Sequence, residues 1–225
     1  MAAGTGTRLR PLTDDRPKGM VEVNGTPIVE RQIRHFLDVG VDEVILVTGH
    51  RAERFAPLSA KYGRLTFLPN PKYETHNNIY SMYLARDRLG ESYVSEADVL
   101  MHRNYLLPGP ETSLLFGGYR RGFAKEWILR FGPDGRVHRV DVQGGEGVIL
   151  AGLSFWTAAD ARVVRERLEA LVEGGGFENL FWDDVYMSCL DRVPVYLREI
   201  DPGDWSEVDT PEDLKDAEAR DRGRV

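Results

Sequence analysis

Short apolar runs alternate with amphipathic segments along this chain, and that alternation restricts the fold more than any other feature of the sequence. Residues 43–48 (EVILVT) form a nearly continuous apolar run, which is typical of a parallel strand buried on both faces. Residues 28–37 carry apolar side chains at helical spacing, after Pro27 and before Gly40. Strands that alternate with helices predict an α/β fold with a doubly wound, mostly parallel sheet.

The same reasoning places further elements along the chain. Strands are predicted at residues 20–23, 65–68, 93–95, 148–155 and 193–200, and helices at residues 52–62, 78–84, 158–173 and 211–220. Residues 127–131 and 137–142, joined by Pro133-Asp134-Gly135, predict a β-hairpin as a small mixed extension of the sheet. The charged tail from Asp221 onward is expected to fray.

No long Pro/Gly/Ser linker divides the chain, so we expect one domain over residues 1–225. Its first half, to about residue 100, is expected to bind a ligand through the N-terminal loop, and its second half to complete the site. Sequence signals at helix starts support the boundaries. Thr157 and Thr210 stand where N-caps belong, and Asn77 or Asn78 is predicted to cap the helix that contains Ile79.

Composition excludes several classes of protein. The 29 Lys and Arg residues against 36 Asp and Glu give a net charge of −7, which argues against general nucleic-acid binding. The single cysteine, Cys189, rules out an internal disulfide and fits a cytoplasmic location. No apolar run approaches the roughly 20 residues of a membrane span, and the N-terminus lacks the apolar core of a signal peptide.

The segment most informative about chemistry is the string AAGTGTRLRPLT at residues 2–13, followed by Pro17-Lys18. Small residues let backbone N–H groups approach an anion closely, and glycine tolerates the positive φ that such a loop needs. Arg8 offers a fork of donors to phosphate oxygens, and Lys18 offers a compact charge on a flexible stem. The string therefore predicts a phosphate-binding loop.

This string resembles the signature of the sugar-nucleotide pyrophosphorylase-like nucleotidyltransferases, in which a strand precedes L-A-A-G-x-G-T-R-L-x-P-L-T and a later P-K. The resemblance implies transfer of a nucleotidyl group from a nucleoside triphosphate to a phosphorylated small molecule, with release of pyrophosphate. It also implies that Arg8 contacts the β- and γ-phosphates, and that Lys18 contacts the α-phosphate and the acceptor phosphate in the transition state. The implied nucleotide-binding residues are Ala2, Ala3, Gly4, Thr5, Gly6, Thr7, Asn78 and Ser81.

Such a reaction gathers many negative charges around the α-phosphorus, so positioning and charge neutralisation dominate catalysis. A divalent cation is expected, and Mg²⁺ prefers one or two carboxylates together with phosphate oxygens. The resemblance places the metal-binding aspartates at Asp98, after an apolar strand, and at Asp209, before the last helix. The alternative is that Asp98 is a turn carboxylate and Asp209 a helix-capping acid.

Four further stretches narrow the family: YETHNNIYSMYLARD (73–87), EWILRF (126–131), GVILAGLSFW (147–156) and ENLFWDDVY (178–186). Together they resemble the phosphocholine cytidylyltransferase branch and the related phosphonate cytidylyltransferases, from residue 1 to about residue 218. The implied nucleotide is CTP. Asn78 and Ser81 are then expected near the cytidine, although Asn78 could equally cap its helix.

The acceptor pocket is predicted from aromatic and acidic residues. Trp182 with Asp183 and Asp184, and Trp127 as a second wall, could hold a cationic head group. Alternatively, Trp182 packs in the core while Asp183 and Asp184 cap the turn beside it. The basic residues of 119–121, together with Arg103 and Lys125, are usually a solvated surface, but in the pocket they would favour an additional acidic group on the acceptor.

Two other functions stay open from the sequence: a sugar-1-phosphate nucleotidyltransferase that uses another nucleoside triphosphate, and a non-catalytic nucleotide-binding regulatory domain. The oligomeric state is open as well. A phosphate-binding loop of this kind normally follows a buried strand, whereas here only Met1 precedes it. We therefore expect either that the natural start lies several codons upstream or that the neighbouring strand is completed differently.

Overall fold

The fold was analysed in a computed structural model that describes residues 1–223. Its strands are β1 (Glu22–Val23), β2 (Thr26–Pro27), β3 (Val44–Thr48), β4 (Leu65–Pro69), β5 (Ser92–Ser95), β6 (Val99–Met101), β7 (Ser113–Phe131), β8 (Val137–Trp156), β9 (Val195–Glu199) and β10 (Trp205–Glu207). Its α-helices are α1 (Ile28–Asp38), α2 (Ala56–Lys61), α3 (Asn78–Ala85), α4 (Ala158–Gly174), α5 (Trp182–Met187) and α6 (Pro211–Arg222).

The central sheet is mostly parallel, as the apolar pattern predicts. Strand β3 pairs with β4 in parallel in one part, and the other part has the order β5, β8, β7, β9. Strands β1 and β2, and strands β6 and β10, form separate antiparallel pairs. Strand β8 runs antiparallel to both of its neighbours, whereas β7 and β9 are parallel to each other. One reversed strand therefore interrupts an otherwise parallel arrangement, which confirms the predicted fold class.

Helices cover both faces of this sheet, so the fold is doubly wound. On one face α3, α4 and α5 pack in one apolar cluster through side chains such as Met82, Leu168 and Val185. On the other face α1 and α2 share a cluster that contains Ile33 and Leu58. Because the sheet is buried from both sides, its strands need the nearly continuous apolar sequences that residues 43–48 illustrate.

The predicted helix starts are confirmed by their capping bonds. The Thr157 hydroxyl accepts a hydrogen bond from the Asp160 N–H, and the Thr210 hydroxyl accepts one from the Asp213 N–H. The side chain of Asn77, not that of Asn78, caps α3. This choice leaves the Asn78 side chain available for other contacts.

Several predicted boundaries were wrong. The predicted helix at 52–62 is a 3₁₀ turn, Ala52–Phe55, followed by the short helix α2. The predicted strand at 20–23 is only the two-residue strand β1. The predicted hairpin is only the outer part of β7 and β8, which are 19 and 20 residues long. Asp221 belongs to α6 and is not part of a frayed tail, whereas residues 224–225 lie outside the described chain.

Met1 and Ala2 lie between the two parts of the central sheet. The Ala2 N–H donates to the Val47 carbonyl of β3 at 2.8 Å, and the Met1 carbonyl accepts from the Ala97 N–H, just after β5, at 3.0 Å. A cavity of about 460 Å³, lined by β3, β5 and α1, borders Met1. The expectation of a further strand before Met1 stays a prediction. Within residues 1–223, no helix combines the length and apolarity needed to cross a bilayer.

Candidate active site

The glycine-rich N-terminal loop lies along one wall of a cleft of about 770 Å³, as its composition predicts. It leaves the sheet at Ala3, whose carbonyl accepts from the His50 N–H at 3.0 Å. Gly6 adopts a left-handed conformation with φ of 61°, and a Cβ there would lie 3.0 Å from the Thr13 methyl carbon. Both the backbone conformation and the crowding therefore require glycine at this position.

Lys18 stands at the centre of the cleft between the two predicted metal-binding aspartates. Its Nζ lies 2.6 Å from Asp98 Oδ2 and also donates to Asp209 Oδ1. Arg8 Nη2 pairs with the other oxygen of Asp209 at 2.9 Å. Burial disfavours the charged form of Lys18, but attraction by Asp98 and Asp209 outweighs it and raises the pKa of Lys18. The fold thus brings four predicted site residues together. Asp98 and Asp209 lie 80 and 191 positions after Lys18 in the sequence.

Two short strands place these aspartates side by side. Asp98 directly precedes β6, and Asp209 follows β10 after one intervening residue. Strands β6 and β10 pair in antiparallel orientation, from the pair Glu207–Val99 to the pair Trp205–Met101. The Val208 N–H also donates to the Asp98 carbonyl at 3.1 Å. The backbone pairing therefore fixes the two carboxylates at one end of a three-pair ladder.

The carboxylates fit a divalent cation that shares its remaining ligands with phosphate. Asp98 Oδ1 is buried and accepts no hydrogen bond from the described residues, so one oxygen lone pair is available in the cleft. Within residues 1–223, no group of three or more His, Cys, Asp or Glu side chains forms a complete metal site. Mg²⁺ suits such an incomplete set, because it commonly binds through one or two carboxylates together with water and phosphate oxygens.

Further carboxyl groups make the floor of the cleft strongly acidic. Burial, together with repulsion from Asp98, raises the pKa of Glu207 to about 8. Burial likewise raises the pKa of Asp183 to about 6, although its bond from the Tyr186 hydroxyl at 2.6 Å opposes that shift. Burial and nearby carboxylates also raise the pKa of Glu96. Neither Glu96 nor Glu207 was among the residues predicted from the sequence.

Asn78 and Ser81 both line the cleft, as predicted, and both already have partners. Asn78 Nδ2 donates to Glu96 Oε1 at 2.8 Å, and Asn78 Oδ1 accepts from the Trp182 N–H at 2.7 Å. The Ser81 hydroxyl accepts from Asn70 Nδ2 at 3.0 Å. Asn78 therefore links the start of α3 to the start of α5 beside the N-terminal loop.

The predicted acceptor residues separate into two groups. Trp127 and Asp183 line the cleft, and the Trp127 ring meets the Phe181 ring edge-on with centroids 6.0 Å apart. Trp182 and Asp184 do not line this cleft. Trp182 is 2% exposed and packs on Trp156 and Tyr186, while Asp184 caps α5 by accepting from the Phe181 N–H. Phe181, which the sequence reasoning missed, provides the second aromatic surface.

The basic residues near the hairpin are mostly directed away from the cleft. Arg120 stacks on the Trp205 ring, Arg121 pairs with Glu146, and Arg103 pairs with Asp204. Lys125 is the member of this group that lines the cleft. The carboxyl groups of Glu126 and Asp183 therefore line the cleft together with Trp127 and Phe181, alongside Lys125.

Comparison with known proteins agrees with this geometry. The sequence model of the MobA-like NTP transferase domain matches residues 1–99. A choline-phosphate cytidylyltransferase of Streptococcus pneumoniae is 36% identical over 219 residues, which cover 97% of this chain and 95% of that protein. A 2-aminoethylphosphonate cytidylyltransferase of Lancefieldella rimae is 31% identical over 217 residues, covering 95% of this chain and 88% of that protein.

Solved structures support the same relationship. The structure of a CTP:phosphocholine cytidylyltransferase from Streptococcus pneumoniae superimposes with a TM-score of 0.94 at 35% identity. The match covers 97% of this chain and 95% of that one. The similarity therefore extends over both halves of the cleft, well beyond the N-terminal loop.

Proposed function

The chain belongs to the nucleotidyltransferase family that contains the choline-phosphate and 2-aminoethylphosphonate cytidylyltransferases, and we propose that it transfers CMP from CTP to a small phosphorylated or phosphono acceptor with a cationic head group. Pyrophosphate is the second product. The observation that carries this proposal is the meeting of Lys18, Asp98 and Asp209 beside the glycine-rich loop. We further propose a cytoplasmic location, where CTP is available and a lone thiol such as Cys189 stays reduced.

The reaction begins with an acceptor oxygen that attacks the α-phosphorus of CTP in line with the departing pyrophosphate. Negative charge then accumulates on the non-bridging oxygens and on the leaving group. Lys18 is proposed to stabilise the charge at the α-phosphate, and Arg8, whose side chain is 70% exposed at the mouth of the cleft, to bind the β- and γ-phosphates. Both cations must exchange their aspartate partners for phosphate oxygens when CTP binds.

Mg²⁺ is proposed as the cofactor, with Asp98 and Asp209 as its protein ligands. When bound, the cation would neutralise phosphate charge and bring donor and acceptor phosphates together. The unpartnered Oδ1 of Asp98 supports this assignment. The N-terminal loop, residues 2–7, is proposed to surround the nucleotide, with Asn78 and Ser81 near the base.

The acceptor end of the cleft favours a cationic head group. Trp127 and Phe181 present aromatic surfaces, and the carboxyl groups of Asp183 and Glu126 lie in the same cleft. Aromatic faces and carboxylates attract quaternary and primary ammonium groups. Because Arg120 and Arg121 have partners elsewhere, Lys125 alone of this basic run supports an acidic substituent on the acceptor.

A matrix of substrates tests the proposal. CTP, UTP, GTP and dTTP are each combined with phosphocholine, 2-aminoethylphosphonate, 2-hydroxyethylphosphonate, phosphonoformate and hexose 1-phosphates, and pyrophosphate release is measured. We expect turnover with CTP and the two cationic acceptors. Preference for UTP or dTTP with a hexose 1-phosphate would contradict the proposal, and tight CTP binding without any pyrophosphate release would indicate a regulatory domain.

A further inference from the structure

A buried hydrogen-bond network lies at the end of the β6–β10 ladder that is farther from the cleft. His102 directly follows β6, and its side chain has no exposed surface. Its Nε2 lies 2.9 Å from the hydroxyl of Ser206, in the middle of β10, and its Nδ1 lies 3.4 Å from Asp221 Oδ1 on α6. One imidazole therefore joins both strands of the ladder to the last helix.

Asp221 is in turn held by Arg31 of α1. Arg31 Nη1 donates to Asp221 Oδ1 at 2.7 Å, and Arg31 Nη2 donates to Asp221 Oδ2 at 2.8 Å. Asn24 Nδ2 adds a bond to Asp221 Oδ2 at 3.1 Å. The bond from Arg31 holds the pKa of Asp221 well below its usual range. This carboxylate is thus ionised and fixed in orientation by a two-point contact.

The order Ser206, His102, Asp221 resembles the relay of a hydrolase, but its location excludes that role. The imidazole is fully buried, and none of the three residues lines the 770 Å³ cleft. Ser206 also receives a bond from Arg220 Nη1 at 3.4 Å. The network therefore acts on the protein, not on a substrate.

The ladder connects this network directly to the proposed metal ligands. Asp98 and Asp209 flank one end of the ladder, His102 follows the other end, and the Ser206 hydroxyl that it contacts belongs to the middle pair. Helix α6 links the same two places, because its capping box at Thr210 adjoins Asp209 and its last turn carries Asp221. Both routes from the network lead to Asp209.

A ladder of three pairs is a weak support for a site of this kind. Three backbone pairs are a short support for two carboxylates, and metal ligands must be held within about 0.5 Å of the binding geometry. Partners behind the ligands commonly control metal affinity. We propose that Asp221, with His102 and Arg31, is a positioning network that keeps Asp98 and Asp209 at the separation required by the divalent cation. This inference rests on the proposed function of the two aspartates.

The test measures metal binding in the absence of turnover. Mn²⁺ is titrated into the full chain at a fixed CTP concentration without acceptor, and free Mn²⁺ is followed by electron paramagnetic resonance. A titration of the same CTP concentration without protein is the reference, and the additional Mn²⁺ bound gives the Kd. Asp221→Asn keeps the shape of the side chain but removes its charge, and we expect the Kd for Mn²⁺ to rise about tenfold. Asp221→Glu is expected to restore most of the affinity, because it can again accept two bonds from Arg31.

Glu169→Gln is the matched control, since Glu169 accepts comparable bonds from Arg86 and Arg165 but lies on α4. Its Kd for Mn²⁺ is expected to equal that of the wild type. A lower melting temperature of Asp221→Asn with an Mn²⁺ Kd within twofold of the wild type overturns the inference, because the network would then be merely structural.

A second variant keeps the inference testable if Asp221→Asn does not fold. His102→Gln leaves the Arg31–Asp221 pair intact and is expected to raise the Mn²⁺ Kd by a smaller factor, about threefold; an unchanged Kd overturns the inference. A wild-type chain that binds no Mn²⁺ in the presence of CTP would instead contradict the proposed function itself.

Discussion

The two ends of the cleft, proposed to hold the triphosphate and the acceptor and called the triphosphate end and the acceptor end, differ in how their charges are balanced. At the triphosphate end, Lys18 and Arg8 pair with Asp98 and Asp209. At the acceptor end, burial raises the pKa of Asp183, and the neighbouring carboxyl group of Asp184 acts in the same direction. The protein's own cations therefore neutralise the carboxylates at the first end. At the second end, a bound cation would stabilise the ionised form of Asp183.

This difference separates the two kinds of recognition. At the first end, a polyanion would replace the aspartate partners of Lys18 and Arg8, so the proposed nucleotide and metal sites would share the same aspartates. The acceptor end can select among phosphorylated molecules by the charge of the group that enters it. The predictions below test these two behaviours separately.

The largest effect is expected from Lys18→Met. The variant removes the charge proposed to stabilise the transition state, so kcat should fall by about 10³-fold or more while the fold is retained. Pyrophosphate release and the melting temperature measure the two outcomes. Lys61→Met is the control, because Lys61 makes a similar 2.6 Å pair with Glu30 at a distant surface. Wild-type turnover by Lys18→Met would remove Lys18 from the mechanism.

A smaller and more selective effect is expected at the aromatic walls. Trp127→Ala should raise the KM for phosphocholine by about 30-fold, since a desolvated cation–π contact contributes about 2 kcal/mol. The KM for CTP should change little. Trp182→Phe should lower the melting temperature because this ring is buried against Trp156, yet leave the KM for phosphocholine near that of the wild type. A raised KM for phosphocholine in Trp182→Phe, with an unchanged KM in Trp127→Ala, would indicate that Trp182 and not Trp127 contacts the acceptor.

The smallest effect concerns the acid at the acceptor end. The pKa of Asp183 is about 6 in the folded chain and 3.8 for an unperturbed aspartate. Between these values the unfolded chain loses its proton first, so rising pH lowers the free energy of unfolding, and above about pH 6 the contribution is constant. Asp183→Asn should therefore reduce the fall in the free energy of unfolding between pH 4 and 6, by an amount on the order of 1 kcal/mol.

Denaturant titrations at several pH values measure this change. The asparagine oxygen can still accept from the Tyr186 hydroxyl, so the comparison isolates the charge. Identical pH dependence in the two chains would mean that Asp183 is not a buried ionisable acid in solution, and the contrast between the two ends of the cleft would be lost.

The N-terminal loop was largely predictable because its residues follow one another in the sequence. The loop at residues 2–8 carries its own conformational requirements, such as the left-handed Gly6, within a few positions. Asp98 and Asp209 were predicted at strand ends and are found beside Lys18. Their ligand roles stay predictions that the Mn²⁺ and Lys18 experiments address.

The acceptor end was predicted less well because it is assembled from separate elements. Trp182 and Phe181 are adjacent aromatic residues, and the sequence provides no reason to place one in the core and the other in the cleft. The orientation of α5 decides it, since Trp182 packs on Trp156 of β8 while Phe181 meets Trp127 of β7. The same limit applies to His102 and Ser206, which are 104 positions apart.

The sequence by itself determined the α/β alternation, the helix caps and the glycine-rich N-terminal loop, because each depends on residues a few positions apart and on local backbone geometry. Only the tertiary structure decided which apolar side chains are buried, which carboxyl groups share the cleft, and how Asp221 and Arg31 meet. Those outcomes depend on how whole helices and strands pack, since burial free energy is gained by the assembled core and not by any one segment.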